Sequence, residues 1–275
     1  MRKEPKKSTQ PIALKDFNQI CITQTAATIL SLLGITPADQ MAPPIKQVLN
    51  RQPACDRVFM YNPDAIAMWV YEKYAHYFKE MEKKTDLKLP MLSVIPPVTP
   101  VCFGSMYSGL LPEGHGIQKY EKPVLSVPTV FDLLSQAGKK ATIVSTEGDS
   151  ISKIFLERNI DYFIYPTKEA CNRKALKLIE QDVHDLIVLY NGDYDYQMHR
   201  HTPEGKKPLN ALQENIDTYG LLHTSIQKHW AGHQTTLVFA PDHGCHKVFG
   251  FLGNHGDNKP CDMNIMHFYS FLQYS

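Results

Sequence analysis

The sequence predicts an α/β protein with a mainly parallel central sheet covered on both faces, and three observations carry that expectation. Six short apolar, β-rich runs (57–61, 89–95, 140–145, 162–165, 185–190 and 235–240) alternate with amphipathic stretches. Strands that alternate with helices need crossover connections, which lay helices over both faces of a parallel sheet. In one such stretch Leu212, Ile216, Tyr219, His223, Ile226 and Trp230 recur every three or four residues, the repeat of a single helix face. Finally, polar residues follow directly on four of the runs: NPD at 62–64, PVTP at 97–100, NGDYDYQMH at 191–199 and PDHG at 241–244. Ligands of open α/β sheets bind at the carboxyl ends of strands, so these four loops are expected to converge on one site.

Along the chain, residues 1–22 read as a partly flexible tail with a basic start, MRKEPKK, and no apolar run of signal-peptide type. Residues 23–33 read as a helix stopped by Gly34 and Pro37. A connector with Pro43, Pro44 and Pro53 then leads to the first run. The charged stretch 71–88 reads as a surface helix. One domain over 1–275 is the economical organisation. With 29 Lys plus Arg against 28 Asp plus Glu, the chain shows no electrostatic footprint for a nucleic acid polymer or an anionic membrane. No stretch reaches the ~18 apolar residues of a membrane span, and a cytoplasmic location is expected. The six cysteines show no CxxC pair and read as unpaired thiols.

The chemistry concentrates around VTPVCFGSMYSG (98–109), which offers Thr99, Cys102 and Ser105 as nucleophiles. Intrinsic reactivity favours the cysteine, because the hydroxyls need a base or a metal to remove their proton. Elsewhere Asp64, Asp195, His199, Asp242, His243 and His255 supply three carboxylates and three imidazoles. That set suits Zn²⁺ and related ions and exceeds the needs of one tetrahedral ion. Two ions ~3.5–4 Å apart can clamp the attacking and leaving oxygens of a displacement at phosphorus. Each piece also has a plain structural reading: DHG as a turn, Asp64 as a helix N-cap, Asp195 and His199 as a surface i, i+4 pair. Their order at successive strand ends is what argues for a constellation.

PPVTPVCFGSMYSGLLPEGHGI (96–117) resembles the alkaline phosphatase superfamily, and most of all its type I phosphodiesterase/nucleotide pyrophosphatase branch. That resemblance implies an alkaline phosphatase-like αβα sandwich. It places the nucleophilic threonine ten residues before the glycine of a GLLPEGHG-type segment, which is the spacing of Thr99 and Gly109; Cys102 is three residues out of register. Asp195 to His199, followed by Pro203, resembles the family's D-x-x-G-H-x-x-G-P element, with Met198 and Thr202 in place of glycines. Asp242 and His243 match its DHG, and His255 in GNHGD its final histidine. By resemblance, Asp195, His199 and His255 hold one divalent ion, and Asp64, Asp242, His243 and Thr99 a second. Zn²⁺ is the first expectation, with Mn²⁺ or Fe as alternatives. The chain departs from the pattern at Cys102, where the family has asparagine, and at Pro100, often an aromatic that stacks on a nucleobase.

The expected activity is therefore metal-dependent hydrolysis of a small-molecule phosphoric ester, phosphodiesterase- or pyrophosphatase-like, through Thr99. The alternatives are a phosphomonoesterase or phosphomutase of the same superfamily, or a noncatalytic metal-stabilised scaffold. TQTAATILSLLGITPADQMAPPI (23–45) resembles a helix that in this superfamily follows the last metal histidine, so a circularly permuted N-terminus is also expected, feasible where termini lie close together.

Overall fold

The computed structural model describes residues 14–273 except 249 and 251; the MRKEPKK start lies outside the described residues. In chain order the elements are β1 (Ile20–Cys21), α1 (Gln24–Leu32), α2 (Lys46–Leu49), β2 (Arg57–Pro63), α3 (Met68–Lys73), α4 (Ala75–Glu82), β3 (Leu87–Leu92), α5 (Thr99–Ser108), α6 (Pro112–His115) and α7 (Val130–Gln136). They continue with β4 (Ala141–Thr146), α8 (Ile151–Ile154), β5 (Asp161–Tyr165), α9 (Lys168–Gln181), β6 (Leu186–Asn191), α10 (Asp193–Arg200), α11 (Lys206–His229), β7 (Thr235–Phe239), β8 (His246–Lys247), β9 (Gly253–Asn254), α12 (Pro260–Met263) and β10 (Asn264–Leu272).

Eight strands form one sheet in the order β1-β3-β10-β7-β2-β6-β4-β5. All pairings are parallel except those of β10, which runs antiparallel between β3 and β7. Each of the six apolar runs became a strand. β6 and β7 are buried along their whole length, as strands between two helical layers must be. In β2 the pleat sends Val58 and Met60 into the layer of α1, α5, α7 and α8, and Phe59 and Tyr61 into the layer of α4, α9, α10 and α11. The periodic face Leu212, Ile216, Tyr219, His223, Ile226 and Trp230 is the buried side of α11 and its C-cap.

Two expectations need correction. The stretch 71–88 is not one surface helix. It is α3 and α4, broken at Tyr74, and its last residues belong to β3. Phe78 and Met81 are buried, Phe78 stacked on Phe268 of β10 with ring centroids 5.8 Å apart, so aromatic packing pins this insertion to the sheet. Nor is the segment before 23 all tail. Ile20–Cys21 extends the sheet by pairing with Met91 and Leu92, and the Asn18 backbone N–H donates to Asn264 Oδ1 of β10 at 3.0 Å. The following α1 lies in the same hydrophobic layer as Ile265 and Tyr269 of β10. A permuted chain requires this proximity.

Candidate metal centre

β2, β3, β6 and β7 all point their carboxyl ends to one edge of the sheet. Asp64 follows β2, where Ala65 turns the chain sharply at φ 61° and the Asp64 N–H donates to Asn191 O at 3.0 Å. It is not a helix N-cap: α3 begins four residues later, after Ala67. Thr99 is the first residue of α5, a wholly buried helix opened by Pro100, whose fixed φ suits a first turn. Asp195 and His199 lie one turn apart on α10, Asp242 and His243 follow β7, and His255 follows β9. Two glycines allow the close approaches that align these pieces. A Cβ at Gly244 would stand 2.2 Å from Cys261 O, and one at Gly253 would stand 2.3 Å from Met198 Sδ.

All seven residues come together, in two adjacent groups. In the first, Asp195 Oδ1 lies 3.3 Å from both His199 Nε2 and His255 Nε2, and the two nitrogens are 3.1 Å apart. In the second, His243 Nε2 lies 3.3 Å from Asp64 Oδ1 and 3.5 Å from Asp242 Oδ2. Thr99 Oγ1 donates to Asp64 Oδ2 at 3.2 Å and lies 3.3 Å from His243 Nε2. The rings of His243 and His255 face each other with centroids 4.1 Å apart, which brings the groups side by side.

The donor chemistry fits divalent ions. His243 Nδ1 meets the carbonyl of Gly244 at 2.9 Å and His255 Nδ1 that of Pro97 at 3.0 Å. The hydrogen-bond network thus assigns the ring proton to Nδ1 and leaves the Nε2 lone pair facing inward, the orientation metal-ligating histidines adopt. Asp64 Oδ1, Asp195 Oδ1 and Asp242 Oδ2 are buried without a hydrogen-bond partner. Buried carboxylate oxygens are costly unless paired or coordinating a cation. Burial, then the neighbouring acids, pushes the Asp64 and Asp242 carboxyls up. Burial opposes ionisation of Asp195 as well, but the adjacent imidazoles of His199 and His255 outweigh it and hold that carboxyl below its usual range. Three buried acids that face one another and three inward imidazoles without a cation are mutually unfavourable, and two divalent ions would reverse the balance.

Cys102 and Ser105, the other nucleophiles of the segment, point elsewhere. Cys102 is fully buried, its sulfur 3.1 Å from Ser93 Oγ, and burial drives its thiol well above the ordinary value. Ser105 Oγ lies 2.9 Å from His115 Nε2. Tyr190 has a role that no motif signalled. Its phenol, kept protonated by burial and by Asp64, donates a short hydrogen bond to Asp64 Oδ2. As an apolar-run residue in β6 it gave no sequence cue beyond its place at the strand end. The site opens into a cleft of about 540 Å³ lined also by Tyr120, Lys122, Lys168, Tyr196 and Arg200.

No family model and no curated protein matches the sequence. Among solved structures, the chain is similar to human ectonucleotide pyrophosphatase/phosphodiesterase 5, at 16% identity and TM-score 0.55, over 70% of this chain and 58% of that one. The murine protein of the same name matches at 15% identity and TM-score 0.56 over the same shares. So does an inactive threonine-to-alanine variant of the murine protein in complex with AMP, at 14% identity and TM-score 0.56. The chain therefore spans 58% of the length of each of these structures. At such identities the likeness is one of fold, and it bears out the alkaline phosphatase-like α/β architecture.

Proposed function

We propose that the chain is a metal-dependent phosphoric ester hydrolase acting on a small phosphodiester or pyrophosphate, with Thr99 as nucleophile. One observation carries the reading: two metal-competent groups of acids and imidazoles lie side by side with a threonine hydroxyl, Thr99 Oγ1, in contact with one of them. Asp195, His199 and His255 would hold one divalent ion and Asp64, Asp242 and His243 a second beside Thr99, Zn²⁺ first by donor type. Bound ions there supply charge neutralisation for the phosphoryl group and lower the proton affinity of oxygens they contact. Thr99 Oγ1 loses its proton to solvent and attacks phosphorus, forming the Oγ1–P bond as the P–O bond to the leaving group breaks and the leaving oxygen takes a proton from solvent; water then hydrolyses the phosphothreonyl ester in a second displacement that returns the hydroxyl to Thr99. Tyr190 holds Asp64 in place throughout. The N-terminal start of α5 aims its first turn at the same spot, where backbone amides favour phosphate oxygens.

The likeness to structures named pyrophosphatase/phosphodiesterase supports a diester or pyrophosphate substrate, while Pro100 and Cys102 leave the nucleobase unassigned. Rates on bis-p-nitrophenyl phosphate, the p-nitrophenyl ester of thymidine 5′-monophosphate and p-nitrophenyl phosphate decide the class. Diester turnover above monoester turnover is expected. The reverse order would move the assignment to a phosphomonoesterase, and no turnover of any ester by the metal-loaded protein would leave a binding scaffold.

A further inference from the structure

A second convergence of metal-binding side chains lies outside the catalytic constellation. His246, just past the DHG loop, meets Cys261 and Asp262 at the start of α12, and their ligating atoms lie within 4.8 Å of one another. Asp262 is fully buried; its Oδ1 takes His246 Nδ1 at 2.7 Å and its Oδ2 the Asp257 N–H at 3.0 Å. Among the described residues no lysine or arginine pairs with it. Asp257 Oδ2 stands 3.6 Å from His246 Nε2 at the exposed rim. Imidazole, thiol and carboxylate in one small volume form the mixed N, S, O donor set that borderline divalent ions take. The Cys261 thiol is half-buried beside Asp262, and Lys259 pairs with Asp257 at the rim.

We propose that His246, Cys261 and Asp262, with Asp257 at the rim, form a third metal site, structural in role and suited to Zn²⁺. On binding, the ion displaces the thiol proton of Cys261 to solvent, and His246 takes the tautomer that carries its one ring proton on Nε2, which frees Nδ1 and the Asp262 carboxylate to ligate. The position gives the ion its consequence. Asp262 O accepts the Gly244 N–H at 2.7 Å, one residue from His243, while Asp257 lies two residues from His255. An ion here fastens together the loop that carries Asp242 and His243 of one catalytic group and the loop that carries His255 of the other. The proposal does not depend on the hydrolase reading.

Cobalt substitution of the full chain tests it, because neither catalytic group contains a thiol ligand. The Co²⁺ protein is expected to show a near-ultraviolet thiolate-to-cobalt charge-transfer band and to hold one ion more than Cys261→Ser, in which the band is lost. His246→Gln, which keeps the thiol, should weaken the same band and ion. Poor occupancy of the catalytic groups lowers the total but leaves the band and the one-ion difference. No band in the wild-type protein, a band that survives Cys261→Ser, or equal ion counts in the two proteins overturns the proposal.

Discussion

Tyr190 shows how a residue outside the two ligand groups can position one of them. Its hydroxyl fixes one oxygen of Asp64, so the other, Oδ1, is left to face His243 Nε2. Losing such an outer hydrogen bond typically weakens metal affinity about 10–100-fold. Tyr190→Phe is expected to fall in that range by chelator competition, with an unchanged circular dichroism spectrum. Cys102 makes the opposite prediction. Because its thiol is buried, neutral and turned toward Ser93, Cys102→Ala should retain turnover, and iodoacetamide should not inactivate the folded protein. Counting from Gly109 singled out Thr99 over the more reactive cysteine. The contact with Asp64 and His243 gives that choice a physical basis.

At the scale of elements, the site depends on how closely α10 approaches β9. Alanine at Gly253 would put its Cβ 2.3 Å from Met198 Sδ and 2.9 Å from Met198 O, forcing α10 away with Asp195 and His199. Gly253→Ala is therefore expected to lose the ion of that group first, read as a drop in bound metal while the group of Asp64 and Asp242 persists. In the layer beneath, Leu30 of α1 is fully buried, and Leu30→Ala should cost about 2–5 kcal/mol in denaturant unfolding. The strands were legible because residues buried on both faces make continuous apolar runs, as in LIVLYN of β6. Other elements left no such trace. β1 is two residues long and owes its pairing to β3, and the insertion of α3 and α4 looks amphipathic and superficial until Phe78 meets Phe268. Short strands and cross-chain aromatic contacts are tertiary facts that no local period encodes.

Across the whole molecule, two buried histidines couple stability to pH. Burial lowers His115 and His267 to about 4, below the ~6.5 of an unfolded chain. Protonation has no place for its hydrogen in either case: His115 Nδ1 accepts the Ile117 N–H at 3.3 Å, and His267 Nδ1 is buried without a partner. The unfolded chain takes up protons that the folded one refuses at these two residues, so their contribution should lower stability as pH drops from about 6.5 to about 4 and level off below, while the raised Asp64 and Asp242 carboxyls act in the opposite sense. Thermal melts of the metal-free protein check the sign through the difference between wild type and His267→Gln: the loss of stability on acidification should be smaller in the variant. The candidate ligands were legible in the sequence because each sits just past a strand or on the first helix after one. Their division into two adjacent groups, one of them in contact with Thr99, is a product of the whole fold, since Asp64 and His255 are 191 positions apart. The most direct test of that arrangement is turnover of bis-p-nitrophenyl phosphate by Thr99→Ala loaded with metal to the wild-type level. A fall of ~10³-fold or more is expected for loss of a nucleophile, and wild-type turnover by this variant would contradict the assignment of Thr99.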